Sequence, residues 1–338
     1  TPPAESQQSP KPVAASASPV EEKDETEEDL SRLVEKRSWV KELVGKAGQK
    51  VRVAGWIAHS REGRKGLVFV ELRDGTGCVQ SVICSSPARI ERSGLLLRET
   101  SIEIVGTLTV IPEGKKAPSR EPRTIPLELQ AEHWRVLGKS SLDLEKIITP
   151  ESDVPQRLDF RHLALRSPKG MTMLRVRAAM LASIREFYGE KDFVEVTPPT
   201  MVQTSCEGGS DLFEIKYFEE KAWLTQSSQL YLETVLPIVG NTFCILPSFR
   251  AERSRTPRHL TEYTHLEAEM PFIKFEDLLN HLEDIVCSVC DKVMAKCSDL
   301  VLFHNPNFKA PKKPFKRMSY RDAIKFCQDH DILNTETG

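Results

Sequence analysis

The sequence predicts a multidomain α+β protein, an all-β module followed by a mixed module of helices and antiparallel strands. Three observations predict it. The chain has 338 residues, enough for two cores at ~100 to 200 residues per domain. From Val51 apolar and polar residues alternate with a period of two, and from Met171 the period lengthens to that of amphipathic helices separated by short strands. No apolar run reaches the ~18 residues that cross a bilayer, so no membrane partner is expected.

Residues 1–29 are rich in Pro, Ala, Ser and Glu, with almost no large apolar side chain to offset the entropy of ordering. The expectation is a disordered acidic tail. Its eight acidic residues against Lys11 and Lys23 give it −6, so the remainder carries +4 of a formal net charge of −2. That mild positive balance permits a nucleic-acid partner without arguing for one. A mitochondrial transit peptide is Arg-rich and acid-poor, the reverse of this composition. The first residue is Thr1, which points to a processed chain or a fragment. Residues 30–49 follow as an amphipathic helix, from Leu30 to Val44, and a linker.

Residues 50–138 read as one all-β domain of about five strands. "VRVAGWIAHSR", "LVFVELRDGTGCVQSVIC", "SIEIVGTLTVI" and "IPLELQAEHWRVLG" alternate between Gly, Pro and Asp turns. The size and turn spacing suit a small closed barrel such as the OB fold, which often binds single-stranded nucleic acid. From pattern alone, a β domain with no ligand fits as well. Residues 139–170 read as a linker with short turns.

In residues 171–338, "MTMLRVRAAMLASIREFYGEK" places Leu174, Ala178, Leu181, Ile184 and Tyr188 at helical spacing. "FVEV" reads as a strand stopped by Pro198 and Pro199, "LFEIKYF" and "AWLTQ" as strands, and Ser228 to Leu236 as a helix. Leu278, Leu282, Ile285, Val289 and Val293 mark the apolar face of a further helix, and Ser319 with Asp322 forms a capping pair opening a last one.

Eight cysteines at irregular spacing, with no secretory signal ahead of them, suit reduced thiols in the cytosol. Cys287 and Cys290 form a CxxC, but they lie in an apolar-periodic helix without a second pair, so small core residues are the reading preferred over a metal site.

The densest chemistry is in "FRAERSRTPRHLTEYTHLEAE", residues 249–269, which leaves an apolar strand and returns. Side chains two apart on a strand share a face. Arg250 and Glu252 therefore point together, as do Tyr263, His265, Glu267 and Glu269 on the return. On a solvated face such charges contribute little. In a cleft they supply an arginine for a phosphate, carboxylates for amino groups and an aromatic plane for a base. Arg253, Arg255, Arg258 and His259 would then reach outer phosphates.

These residues carry a resemblance. "FRAE...RHLTEYTHLEAE" resembles motif two of the class II aminoacyl-tRNA synthetases, in the subgroup of the aspartyl and asparaginyl enzymes. "FVEVTPP" resembles motif one, "CEGGSDLF" and "LTQSSQLY" resemble the amino-acid-binding loops, and "GWIAHSR...LVFVELRDGTGCVQ" resembles the anticodon-binding OB module. The likeness spans about residues 50–338. It implies an antiparallel catalytic sheet flanked by helices behind an N-terminal OB barrel.

The resemblance implies that Arg250 is the catalytic residue, bridging the ATP α-phosphate and the substrate carboxylate. Glu252 would read the adenine amino group and Tyr263 stack on the ring. Arg258 and His259 would hold the terminal phosphates, with Leu260 beside them. Glu207, next to Gly208 and Gly209, and Gln229 would bind the α-amino group. Pro199 would sit at a homodimer interface built by motif one. In the barrel, Phe69 would stack on an anticodon base, Gln80 hydrogen-bond one and Arg61 add a third contact; for Phe69 a core position remains the alternative. ATP and Mg2+ are the implied cofactors, with no metal ligand assigned in this chain.

The substrate follows from charge. Aspartyl enzymes resemble this chain but use "QSPQ" followed two residues later by a lysine, where Leu232 stands here. They carry an aspartate where this chain has Glu267. A longer carboxylate accepts from an amide and repels aspartate, and unpaired buried charge is rejected strongly. Asparagine and tRNA(Asn) are the implied substrates, with an aspartyl enzyme, and a non-catalytic truncated isoform that binds tRNA or protein, as alternatives. The basic loop "NPNFKAPKKPFKRM" either touches tRNA or is solvated. The Gly-rich third motif and its neighbouring acidic residues do not occur before Gly338, so this chain alone is expected to be nearly inactive.

Overall fold

The computed structural model describes residues 29–63, 67–84, 96–111, 122–149, 151–204, 206, 212–253 and 259–332. The chain divides into two compact units, Thr1–Phe160 and Arg161–Gly338.

The first unit is a closed five-stranded barrel. Its strands are β1 (Lys50–Glu62), β2 (Leu67–Arg73), β3 (Cys78–Cys84), β4 (Ser101–Val110) and β5 (Thr124–Gly138), in the order β1-β2-β3-β5-β4. β3 and β5 run parallel, and the other pairs are antiparallel. Alternation fixes the inside: Val68, Val70 and Leu72 of β2 are buried while Leu67, Phe69 and Glu71 between them are only half-buried. Val53, Ile57, Ile104 and Leu129 complete a fully buried core. Burial of each such side chain contributes about 1.5 to 3 kcal/mol. Gly106 sits where β4 and β5 shift register; a Cβ there would lie 2.0 Å from the Gln130 carbonyl oxygen, so only glycine fits.

The helix expected from Leu30 to Val44 is not formed. Two short 3₁₀ turns, Leu30–Arg32 and Val40–Leu43, take its place, with Arg37 bridging to Arg52 of β1. Leu30, Val40 and Leu43 are buried, the last two in the barrel core. The Val40 amide donates to Asp74 Oδ2 at 2.6 Å, and Asp74 also accepts from Thr76. Tertiary pairing with the barrel has overridden a weak helical propensity.

Residues 139–170, expected as a linker with short turns, hold short helices at Leu144–Ile147, Val154–Asp159 and Arg161–Ala164.

The second unit is built on helices α1 (Pro168–Glu190), α2 (Gln229–Val239), α3 (Phe275–His304) and α4 (Tyr320–Asp329). Its main sheet has the order β11-β10-β6, from β6 (Val194–Glu195), β10 (Thr242–Phe249) and β11 (Glu262–Glu269). A second sheet, β7-β9-β8, joins Met201–Val202, Glu220–Leu224 and Glu214–Tyr217. Ser167 caps α1 by accepting from the Gly170 amide at 3.1 Å, and Ser319 caps α4 as its pairing with Asp322 predicts.

One face of the β10–β11 hairpin is core. Phe243, Ile245, Leu266 and Ala268 pack with Tyr188 and Phe187 of α1 and Ile285 of α3. The Tyr188 and Phe243 rings stack at 4.4 Å. The buried stripe of α1 departs from expectation: Ile184 and Tyr188 are buried, but Leu174 and Ala178 are exposed and Thr172 and Ser183 are buried instead. Both hydroxyls are satisfied. Thr172 donates to the Pro168 carbonyl at 2.7 Å and Ser183 accepts from Lys296 at 3.1 Å, so they enter the interior without a desolvation cost. On α3, Ile285 and Val293 are buried as expected, whereas Leu278 and Leu282 are exposed. Cys287 is buried and Cys290 half-buried, both free thiols.

Candidate functional site

The second face of the hairpin is a cleft. Opposed residues on paired antiparallel strands point the same way, and the register sets Ser248 against Tyr263, Leu246 against His265 and Cys244 against Glu267. The ladder continues one residue further, where the Arg250 amide donates to the Thr261 carbonyl at 3.0 Å. Core packing of the opposite face fixes this orientation, because a one-residue slip would bring Glu267 and His265 into the apolar core.

Arg250, Glu252, His259, Leu260 and Tyr263 line one cavity of about 470 Å³, together with Thr261 and His265. That volume is in the range of a ligand pocket. The Arg250 guanidinium lies 5.4 Å from the Tyr263 ring centre. The Tyr263 hydroxyl is buried and has no hydrogen-bond partner among the described residues. Beyond Tyr263 the His265 ring stands 5.2 Å away, its Nδ1 3.0 Å from Ser248 Oγ and 3.3 Å from Glu267 Oε2.

Glu267 is anchored from the start of α2. Ser227 Oγ donates to its Oε1, and the Ser228 amide donates to Oε2 at 2.9 Å and Oε1 at 3.1 Å. The Gln229 amide donates to Ser227 Oγ at 3.1 Å, and Gln229 Nε2 to Glu233 at 3.0 Å. Burial pushes the Glu269 carboxyl above the ordinary carboxylate range, and the charges of Glu233 and Glu267 push the same way. Burial also lifts the Cys244 thiol to about 11. Leu232 is fully buried. Glu207, with Gly208 and Gly209, and Arg255 and Arg258 lie outside the described residues. Pro199 is exposed in the stretch between β6 and β7. Sequence reasoning placed His265 on the cleft face without giving it a role, and did not single out Thr261, Ser227 or Ser228, whose partners come from elsewhere in the sequence.

On the barrel, Arg61 of β1 faces Phe69 of β2 across the ladder, its guanidinium 4.2 Å from the ring centre. Phe69 points away from Val68 and Val70, so it is not a core aromatic. Gln80 of β3 pairs with Glu71, two residues along from Phe69 on the same outer face. Its Nε2 donates to Glu128 Oε2, and Gln130 Nε2 donates to Glu128 Oε1 at 2.5 Å.

In the basic loop of residues 305–318, Lys313 pairs with Asp284, and Arg317 pairs with Glu276 and Glu283 of α3. Those two cations are spent within the fold.

The comparisons with known proteins decide the family. Residues 153–336 match the model of the tRNA synthetases class II (D, K and N), and residues 51–137 match an OB-fold nucleic acid binding domain. The chain belongs to the class II tRNA synthetases. The synthetase is 45% identical over 306 residues to the cytoplasmic asparagine–tRNA ligase of Dictyostelium discoideum, covering 90% of this chain and 46% of the relative. It is similar in structure to the asparaginyl-tRNA synthetase of Entamoeba histolytica in complex with asparaginyl-adenylate, with TM-score 0.81, 47% identity, and coverage of 89% of this chain and 68% of that one. The Pyrococcus horikoshii asparaginyl-tRNA synthetase, also complexed with asparaginyl-adenylate, gives TM-score 0.77, 31% identity, and coverage of 87% and 67%. The synthetase spans about half the length of the curated relatives it matches. No helix among its described residues is long and apolar enough to cross a membrane.

Proposed function

We propose that this synthetase chain carries the asparagine-activating cleft of a cytoplasmic asparagine–tRNA ligase, behind a barrel that binds the anticodon of tRNA(Asn). The observation that carries the reading is the convergence of Arg250, Glu252, His259, Leu260 and Tyr263 on one cavity of nucleotide size. Relatives named cytoplasmic asparagine–tRNA ligase support the substrate and the compartment.

Activation is an in-line displacement. An oxygen of the asparagine carboxylate bonds to the α-phosphorus of ATP while the bond to the bridging oxygen breaks, and pyrophosphate leaves with that electron pair. No general base is needed, because the nucleophile is already an anion. Arg250 neutralises the α-phosphate and the attacking carboxylate together, Tyr263 stacks on adenine and Glu252 accepts from its amino group. His259 and Arg258 hold the outer phosphates beside Leu260. Glu207 and Gln229 hold the α-ammonium, and Glu267 accepts from the side-chain amide. Leu232 stands where a lysine would favour aspartate, so that position offers no cation to a substrate side-chain carboxylate. Mg2+ would accompany ATP and offset the charge of its phosphates; among the described residues no group of three or more acidic, His or Cys side chains is placed to hold it.

On the barrel, Phe69 stacks on one anticodon base beside Arg61. Gln80, with one N–H directed at Glu128, reads a base edge with its carbonyl oxygen and its second N–H. A homodimer through the α1 and β6 region is supported by exposed Met173 and Leu174 on α1 and by exposed Val194 of β6, which precedes Pro199. The test is ATP–pyrophosphate exchange with asparagine and with aspartate, measured on this chain and on a version continued past Gly338. Asparagine-dependent exchange that Arg250→Ala removes supports the reading, and aspartate-dependent exchange alone refutes it.

A further inference from the structure

The Glu267 carboxylate is held by donors from a segment 39 and 40 positions away in sequence. A carboxylate accepts only, at about four lone-pair positions. Ser227 Oγ and the shared Ser228 amide hold it, while His265 Nδ1 lies 3.3 Å and the Cys244 thiol 4.0 Å from Oε2. Whatever lone-pair capacity is left can only accept. It suits an N–H from an amide and repels a carboxylate, which has no hydrogen to give.

The hold is rigid where it matters. Ser227 and Ser228 are both buried, and Ser228 is the N-cap residue of the eleven-residue helix α2. The Ser228 donor is a backbone N–H, so it cannot rotate away as a side chain can. The Ser228 hydroxyl is directed instead at the Cys244 thiol.

We propose that Ser227, through its hydroxyl, and Ser228, through its backbone N–H, are the positioning residues that aim Glu267 and thereby set the choice of amide over carboxylate in the substrate. This rests on the asparagine reading above. Neither serine touches the reacting atoms; both act through Glu267.

The test compares binding of the sulfamoyl analogues of asparaginyl-adenylate and aspartyl-adenylate to wild type, Ser228→Pro, Ser228→Ala and Ser227→Ala. Proline is accepted in the first turn of a helix and deletes the N–H; alanine keeps it. Ser228→Pro is expected to weaken the asparaginyl analogue at least tenfold and to leave ATP affinity within threefold. Ser227→Ala, which alters no backbone group, is expected to lose about threefold or more of the preference, and Ser228→Ala to retain the wild-type asparaginyl-to-aspartyl ratio. Denaturant midpoints read the contact without any ligand: Ser228→Pro lowers the midpoint more in the wild-type background than in Glu267→Gln. An unchanged preference in folded Ser228→Pro and in Ser227→Ala overturns the inference, and so do equal midpoint losses in the two backgrounds. A wild-type chain that shows the midpoint coupling yet binds both analogues equally overturns the asparagine reading itself, and the selective role falls with it.

Discussion

The Arg250 guanidinium lies 5.4 Å from the centre of the Tyr263 ring, on the face of the hairpin opposite its apolar core. The two side chains come from either end of a loop, and strand register alone brings them together. In the proposed function, this cation beside an aromatic plane is the pair that recognises a phosphorylated base. Arg250→Ala should therefore weaken ATP binding by roughly a hundredfold, about 3 kcal/mol for a lost charge-assisted pair. Calorimetric titration measures it, and the melting temperature should hold because Arg250 is not part of the core clusters of the described residues.

Tyr263 separates stacking from hydrogen bonding. Its hydroxyl is buried without a partner among the described residues, a state that costs on the order of 1 kcal/mol or more. Tyr263→Phe should leave ATP affinity near wild type and stability equal or higher, whereas Tyr263→Ala should lose tenfold or more in affinity. Thermal melts and titration of the two variants check both halves.

On the barrel, Phe69→Ala should weaken binding of an RNA stem-loop bearing the asparagine anticodon by ~1 to 3 kcal/mol, the loss of one stacked base. Folding should survive, since Phe69 lies outside the core formed by Val68, Val70 and Leu72. Fluorescence anisotropy gives the affinity, and a stem-loop with a scrambled anticodon gives the baseline.

His281 makes the second unit acid-sensitive. Its ring packs at 5.5 Å from both Phe187 and Phe193 and faces the Tyr188 hydroxyl, within the field of the Lys191–Asp284 ion pair. Burial, aided by Lys191 and opposed by Asp284, pulls its pKa below 6.5. The folded state then refuses a proton that the unfolded chain takes, so stability is lost as pH falls from 6.5 toward the depressed folded value. Denaturant midpoints from pH 8 to pH 5 should decline, and His281→Phe should flatten that decline.

Much of this was legible in the residues. The barrel strands and the two-faced hairpin follow from alternation, because one slip would bury His265 and Glu267. The α1 stripe was not legible in full, since Thr172 and Ser183 read as polar until their partners are known. The segment from Leu30 to Val44 was misread because the barrel supplies contacts that local propensity does not record. Ser227 and Ser228 stayed hidden for the same reason: their meaning lies in Glu267, which no local pattern connects to them.

The central claim is that the β10–β11 hairpin forms a site for an asparaginyl-adenylate. Its most direct measurement is calorimetric binding of the asparaginyl sulfamoyl analogue to wild type and to Arg250→Ala. The account predicts saturable one-to-one binding by wild type, preferred over the aspartyl analogue and weakened about a hundredfold by the substitution. Equal affinities for wild type and Arg250→Ala, or no saturable binding by wild type, would contradict it.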